Sequence, residues 1–177
     1  MRYAYYHLHK GEHVPPFDEV IALICYGDDN IMGVSEKEDK FVMKNIVGVL
    51  NKVGIKYTKA DKTAITENDL FEHIDDLEFL KRSFVYNPAF GAYTAALATT
   101  SIGKSLHNQM VSSTPREEIA AQAIRSANTE FAYHGVEEFN KRQPQLYEVA
   151  HRSGIAGLVG ELPSLSEIVD RFHERTP

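Results

Sequence analysis

The sequence has one cysteine, Cys25, so no internal disulfide framework can brace the chain, and that usage fits a reducing compartment. Cys25 ends the apolar run 20–25 and is expected as a buried structural thiol rather than a nucleophile. No uninterrupted apolar stretch is long enough to cross a bilayer. His7, His9, Lys10 and Glu12 break up the apolar region that a secretory signal would need. Basic charge is in deficit: 19 Lys and Arg against 25 Asp and Glu give a net charge of −6. That excludes a generally basic nucleic-acid-binding surface, though not a local one. What remains is ordinary for 177 residues, with 43% hydrophobic and 25% charged, enough for one compact domain or two small ones.

The most informative segment is Tyr26-Gly27-Asp28-Asp29, which lies between the apolar runs 20–25 and 31–34. Two short apolar strands joined by a tight Gly-Asp-Asp-Asn connection read as a β-hairpin with acids at its tip. Adjacent carboxylates repel unless something cationic sits beside them. Magnesium is a hard cation suited to carboxylate and phosphate oxygen, so the pair suggests two-metal phosphoryl transfer. An acidic surface turn without chemistry is the plain alternative, since Gly, Asp and Asn are common turn residues.

The flanking elements read as follows. Residues 1–10 are the end of a helix closed by Gly11, and Pro15-Pro16 forces an extended link. Ser35 with Glu38 forms a capping box that opens a helix. Phe41, Val42, Ile46, Val49, Leu50 and Val53 line one face of it, and Gly54 ends it. Residues 56–58 form a short strand, 60–76 a polar loop with one helical turn, and 77–86 a strand. The turn signal at residues 87–91 leads into a partner strand over 92–99. Thr114, Pro115 and Glu117 start a long helix reaching about residue 141, bent at Gly135. Two shorter helices follow, near 145–152 and 165–174, the last boxed by Ser164 and Glu167. No internal repeat or low-complexity tract is visible.

Four blocks occur in fixed order. After Tyr26-Gly27-Asp28-Asp29 come Tyr57-Thr58-Lys59-Ala60-Asp61-Lys62-Thr63, then Phe79-Leu80-Lys81-Arg82, then residues 131–139, Phe-Ala-Tyr-His-Gly-Val-Glu-Glu-Phe. In a continuous strand, Phe79 and Lys81 would point one way, Leu80 and Arg82 the other. With these blocks the chain resembles the RNA-dependent RNA polymerases of picorna-like positive-strand RNA viruses, of the dicistrovirus and iflavirus type. The resemblance implies an α+β fold: a partial right-hand palm over 1–100, built of antiparallel hairpins with a packed helix, then a helical thumb over 101–177. It makes the Gly-Asp-Asp hairpin motif C, with Asp28 a direct metal ligand and Asp29 a supporting acid. It makes Lys62 of motif D the proton donor to departing pyrophosphate, with Lys59 a nearby competitor. Lys81 and Arg82 of motif E would hold the priming strand and incoming nucleotide, beside Tyr26 and Gly27. The thumb helix with Arg116, Arg125, Lys141 and Arg142 would lie along the product duplex.

The implied cofactor is Mg2+, with Mn2+ as an alternative. The implied partners are template-primer RNA, nucleoside triphosphates, the remainder of the polymerase and other viral replication proteins. The implied location is the host cytoplasm, in membrane-associated replication complexes. The family's motifs A and B and its basic fingers are not in the sequence, so a C-terminal piece of a larger enzyme, inactive alone, is expected. A reverse-transcriptase-type polymerase and a non-catalytic RNA-binding scaffold are the competing readings.

Three lesser signals carry less. Ser101-Ile102-Gly103-Lys104-Ser105 imitates a P-loop ending, but Ala98 stands where the upstream glycine belongs. His7, His9 and His13 are separated by Gly11 and do not suggest a convergent metal site. Gly154, Gly157 and Gly160 follow no strand, as a nucleotide fingerprint would require.

Overall fold

The computed structural model describes residues 1–109 and 111–175. The protein is an α+β fold that divides between Leu80 and Lys81 into two compact units. That division falls within the Phe-Leu-Lys-Arg block.

The first unit, Met1–Leu80, opens with α1 (Arg2–Leu8) and the one-turn α2 (Phe17–Val20). Strands β1 (Ile21–Tyr26) and β2 (Asp29–Val34) form an antiparallel two-stranded sheet. Helix α3 (Met43–Lys52) follows, then a long irregular stretch, a 3₁₀ turn (Ile74–Asp76) and the two-residue strand β3 (Glu78–Phe79). The hairpin register pairs Ile21 with Val34, Leu23 with Met32 and Tyr26 with Asp29. Alternation therefore turns Ile21, Leu23, Met32 and Val34 onto the core formed by Ala4, Tyr5, Phe17, Phe41, Ile46, Val49 and Leu50. At its centre Tyr5, Phe17 and Phe41 meet edge to face in all three pairs, with ring centroids 5.6, 5.8 and 6.0 Å apart.

Three expectations for this unit are corrected. Helix α3 starts at Met43 and not at the Ser35–Glu38 box. The Glu38 carboxylate instead accepts from the backbone N–H of Lys40 and of Phe41, 3.0 Å each, and lies 3.0 Å from His9 Nε2. Its capping capacity is consumed by a partner 29 residues away. Residues 56–58 are not a strand; Tyr57 is fixed by its hydroxyl, which donates to Asn30 Oδ1 at 2.9 Å. Cys25 is exposed. The inward series of β1 runs from buried Ile21 to Cys25, so the hairpin extends past the core before it turns.

The second unit, Lys81–Pro177, holds the hairpin of β4 (Arg82–Asn87) and β5 (Ala92–Leu97) and the helices α4 (Thr99–His107), α5 (Arg116–Ala132), α6 (Val136–Arg152), α7 (Ala156–Val159) and α8 (Leu165–Arg175). Ile102, Ile124, Phe131, Leu146 and Ile155 anchor one core here, and Phe90, Ala132, Phe139 and Ile168 a second. The expected 77–86 strand is two strands, because Leu80 (φ 53°) and Lys81 (φ 62°) are both left-handed and form a turn. The long helix also ends earlier than expected. Gly135, at φ 102°, breaks it into α5 and α6, while α6 runs through Pro144 instead of stopping there. A proline costs one intrahelical bond, whereas a φ of that sign cannot be helical at all. Pro115, not Thr114, occupies the N-cap of α5, with no side-chain cap. The Ser164–Glu167 box forms as expected: Glu167 Oε2 accepts from Ser164 N at 2.8 Å, and Ser164 Oγ accepts from Glu167 N at 3.4 Å. The P-loop imitation lies inside α4 and is ordinary helix.

Candidate active site

The acidic turn is tighter than the four residues Gly-Asp-Asp-Asn. Asp29 and Asn30 already belong to β2, so Gly27 and Asp28 alone make the connection. Gly27 takes φ 63° while Asp28 does not enter the positive region, which matches a type II′ turn. Gly27 is required for its backbone angle; a Cβ there would meet nothing within 4 Å. Asp28 sits in the turn itself. Asp29 lies across from Tyr26, on the outward face with Ile24 and Ile31. Both carboxylates are exposed, and neither has an ion-pair partner among the described residues.

A cavity of about 250 Å³ within the first unit brings this turn together with the second sequence block. Asp28, Asp29 and Asn30 line one part of it; Tyr57, Lys59 and Lys62 line another; Glu72, Glu78 and Phe79 complete it. Acids and a lysine separated by more than 30 residues therefore share one concave surface, as a cleft that handles a charged substrate requires.

The two lysines of the block differ. The Lys59 ammonium is 2.5 Å from Asp69 Oδ1 and 3.5 Å from Glu72 Oε1. Hydrogen bonding to Asp69 pushes its pKa up and holds the Asp69 carboxyl well below the usual carboxylate range. Lys62 is exposed and has no ion-pair partner among the described residues. Its backbone is left-handed at φ 68°, in a turn where Lys62 N donates to Lys59 O at 2.9 Å. Asp61 Oδ1 fixes the same turn by accepting from the N–H and the hydroxyl of Thr63, at 2.8 and 2.6 Å. Lys59 is thus held in ion pairs, and Lys62 is the exposed lysine of the block.

Lys81 and Arg82 belong to the second unit, outside that cavity lining. The alternation expected for Phe79 to Arg82 fails at the Leu80–Lys81 turn. The Arg82 guanidinium grips Glu130 of α5 with two parallel bonds, 2.9 and 2.7 Å, and donates to Ala95 O at 2.7 Å. This bidentate pair raises the Arg82 pKa further. Glu130→Gln is expected to cost about 1–2 kcal/mol in urea unfolding, because one of the two charge-assisted bonds becomes a weak amide contact.

The fourth block proves to be a corner that bolts the β4–β5 hairpin to α5 and α6. Asn87 Nδ2 donates to Ala132 O (3.2 Å), Thr94 Oγ1 to Tyr133 O (3.0 Å), and His134 Nε2 lies 2.8 Å from Leu97 O. The first two of these bonds reach carbonyls at the C-terminus of α5, and the third reaches the end of β5. Sequence reasoning missed Glu130 and Asp69, whose partners stand 48 and 10 residues away. Acids in a polar loop or a helix face give no local signal of such pairing.

Two adjacent, unpaired carboxylates suit a hard dication that completes its shell with water and phosphate oxygens. Among the described residues no three His, Cys, Asp or Glu side chains converge into a metal cage.

Comparison with known proteins accords with this geometry. The family described as viral RNA-dependent RNA polymerase matches residues 1–151. The replicase polyprotein of Drosophila C virus (strain EB) is 34% identical over 126 residues, covering 71% of this chain and 7% of the polyprotein. The genome polyprotein of Rice tungro spherical virus (strain Vt6) is 34% identical over 126 residues, 70% of this chain and 4% of the polyprotein. The replicase polyprotein of Cricket paralysis virus is 26% identical over 150 residues, 84% of this chain and 8% of that polyprotein. The chain thus spans less than a tenth of the length of these relatives. By the match over most of its residues, this chain belongs to the viral RNA-dependent RNA polymerase family.

Proposed function

We propose that the chain forms part of an RNA-dependent RNA polymerase, with residues 1–100 as the portion of the palm that carries motifs C, D and E and residues 101–177 as the thumb. The observation that carries this reading is the convergence of Asp28, Asp29 and Lys62 on one cavity in a chain of this family. Asp28 would hold a magnesium ion, with Asp29 adding negative charge beside it. Bound there, magnesium would activate a primer hydroxyl and neutralise the triphosphate. Lys62 Nζ reaches over the triphosphate and donates a proton to the departing pyrophosphate, offering charge and proton together. Lys81 contacts the backbone of the priming strand. Arg82, already committed to Glu130, holds β4 in place beneath that contact. Tyr26 and Gly27 border the RNA end, and template-primer RNA and nucleoside triphosphates are the substrates.

This assignment leaves the second principal acid, the ribose-selecting residues and the fingers to the remainder of a complete polymerase. The 177 residues alone are accordingly expected to extend no primer. In the complete enzyme, Lys62→Leu should lower kcat for single-nucleotide addition by about 10²-fold with little change in the KM for nucleotide. An unchanged kcat would remove Lys62 from the mechanism, and primer extension by the 177-residue chain would overturn the division of labour.

A further inference from the structure

The irregular stretch between α3 and β3 is polar and would be expected to move freely, yet it is tied at both ends. Lys59 and Asp69 close a loop that carries the exposed Lys62. Asp69 makes five hydrogen bonds, one of them from its own N–H to Thr66 O at 3.1 Å. Its Oδ1 accepts from Lys59 Nζ, and its Oδ2 accepts from Thr66 N and Thr66 Oγ1 at 2.6 and 2.7 Å. Its backbone carbonyl accepts from Lys44 N in the first turn of α3, at 3.2 Å, and the neighbouring Leu70 O accepts from Met43 N at 3.1 Å. Those two amides are among the donors that a helix N-terminus leaves unpaired, so the loop serves as the cap of α3. Asp69 and Lys59 are about four-fifths buried at the side chain.

We propose that Asp69 is a positioning residue for Lys62, acting through the Lys59–Asp69 clasp. The proposal rests on the role given to Lys62 above. The clasp does two things at once. It anchors the base of the loop on α3, which fixes the origin from which the Lys62 side chain extends into the cavity. Together with Glu72, 3.5 Å away, it also neutralises the ammonium of Lys59, a second cation three residues from the first. The left-handed turn at Lys62, held by Asp61 and Thr63, sets the direction of that side chain. A displacement of about 1 Å in a reacting group is enough to cost two orders of magnitude in rate, so an anchor far from the chemistry can be read kinetically.

The test is a double-mutant cycle in the complete polymerase, read as single-nucleotide addition. Asp69→Asn is expected to lower kcat about 10-fold while changing the KM for nucleotide less than 2-fold. In a Lys62→Leu background the same change should cost less than 2-fold further, since there is no ammonium left to position. Lys59→Met, which leaves the Asp69–Thr66 bonds intact, should reproduce the loss, and Lys59→Arg, which keeps the pair, should restore most of it. Hydrogen exchange on the same proteins should show faster exchange of the 60–66 amides, with Ile46, Val49 and Leu50 of α3 still protected. Equal losses from Asp69→Asn in both backgrounds, or none from Lys59→Met, would overturn the clasp while leaving Lys62 its role. A silent Lys62→Leu would overturn the reading on which the clasp depends.

Discussion

Asp28→Asn in the complete polymerase is expected to lower nucleotide incorporation about 10³-fold or more, because a metal ligand supplies several kcal/mol of charge stabilisation and each 1.4 kcal/mol is a decade in rate. Asparagine preserves the size and turn chemistry of the residue and removes only its charge. Asp28 is exposed and unpaired, so folding stability should move by less than about 0.5 kcal/mol. If anything, the variant relieves repulsion from Asp29. The decisive pair of measurements is primer extension and thermal melting followed by circular dichroism. A variant that melts like the native protein, still binds duplex RNA and no longer incorporates nucleotide supports the catalytic assignment. Retained incorporation would favour the non-catalytic RNA-binding scaffold.

Phe41→Ala should have the largest effect on stability, lowering it by about 3–5 kcal/mol as expected for truncating a fully buried phenylalanine. Phe41 is 0% exposed and contacts the rings of both Tyr5 and Phe17. Its backbone N–H is also one of the donors that fix Glu38, so the residue sits where α1, α2 and the start of α3 converge. The vacated space cannot be filled by its neighbours without breaking the edge-to-face arrangement. The chain has no tryptophan. Urea unfolding of the 177-residue chain is therefore followed by far-UV circular dichroism, and a midpoint shift corresponding to less than about 1 kcal/mol would show that the site collapses.

The hairpin and its glycine were legible because a turn of two residues is specified by those residues. The two Ser-x-x-Glu boxes show where such legibility stops. At 164–167 the carboxylate has no rival hydrogen-bond partner among the described residues and caps α8. At 35–38 the same four-residue pattern is captured by His9 and by the amides of Lys40 and Phe41, and the helix begins later. Local patterns state what a side chain can do, and distant partners decide among the options. Cys25 differs for another reason: an apolar run predicts a strand correctly but does not say how far the strand outreaches the core behind it. Phe79 to Arg82 reads as continuous alternation, and the turn at Leu80 and Lys81 lies in backbone angles that neither residue type favours. Within the candidate site, the sequence points to Asp28, Asp29 and Lys62, while only the Lys59–Asp69 ion pair separates Lys62 from Lys59.

The hairpin that presents the acidic turn has just two strands, so each carries one unpaired row of amides and carbonyls. Its outward face shows Ile24 at 62% and Tyr26 at 71% exposure. Open edges beside a greasy ribbon are templates for strand addition between copies. Concentrated stocks of this chain should consequently gum together through residues 21–34, and dilute storage or a capping peptide would keep them clear.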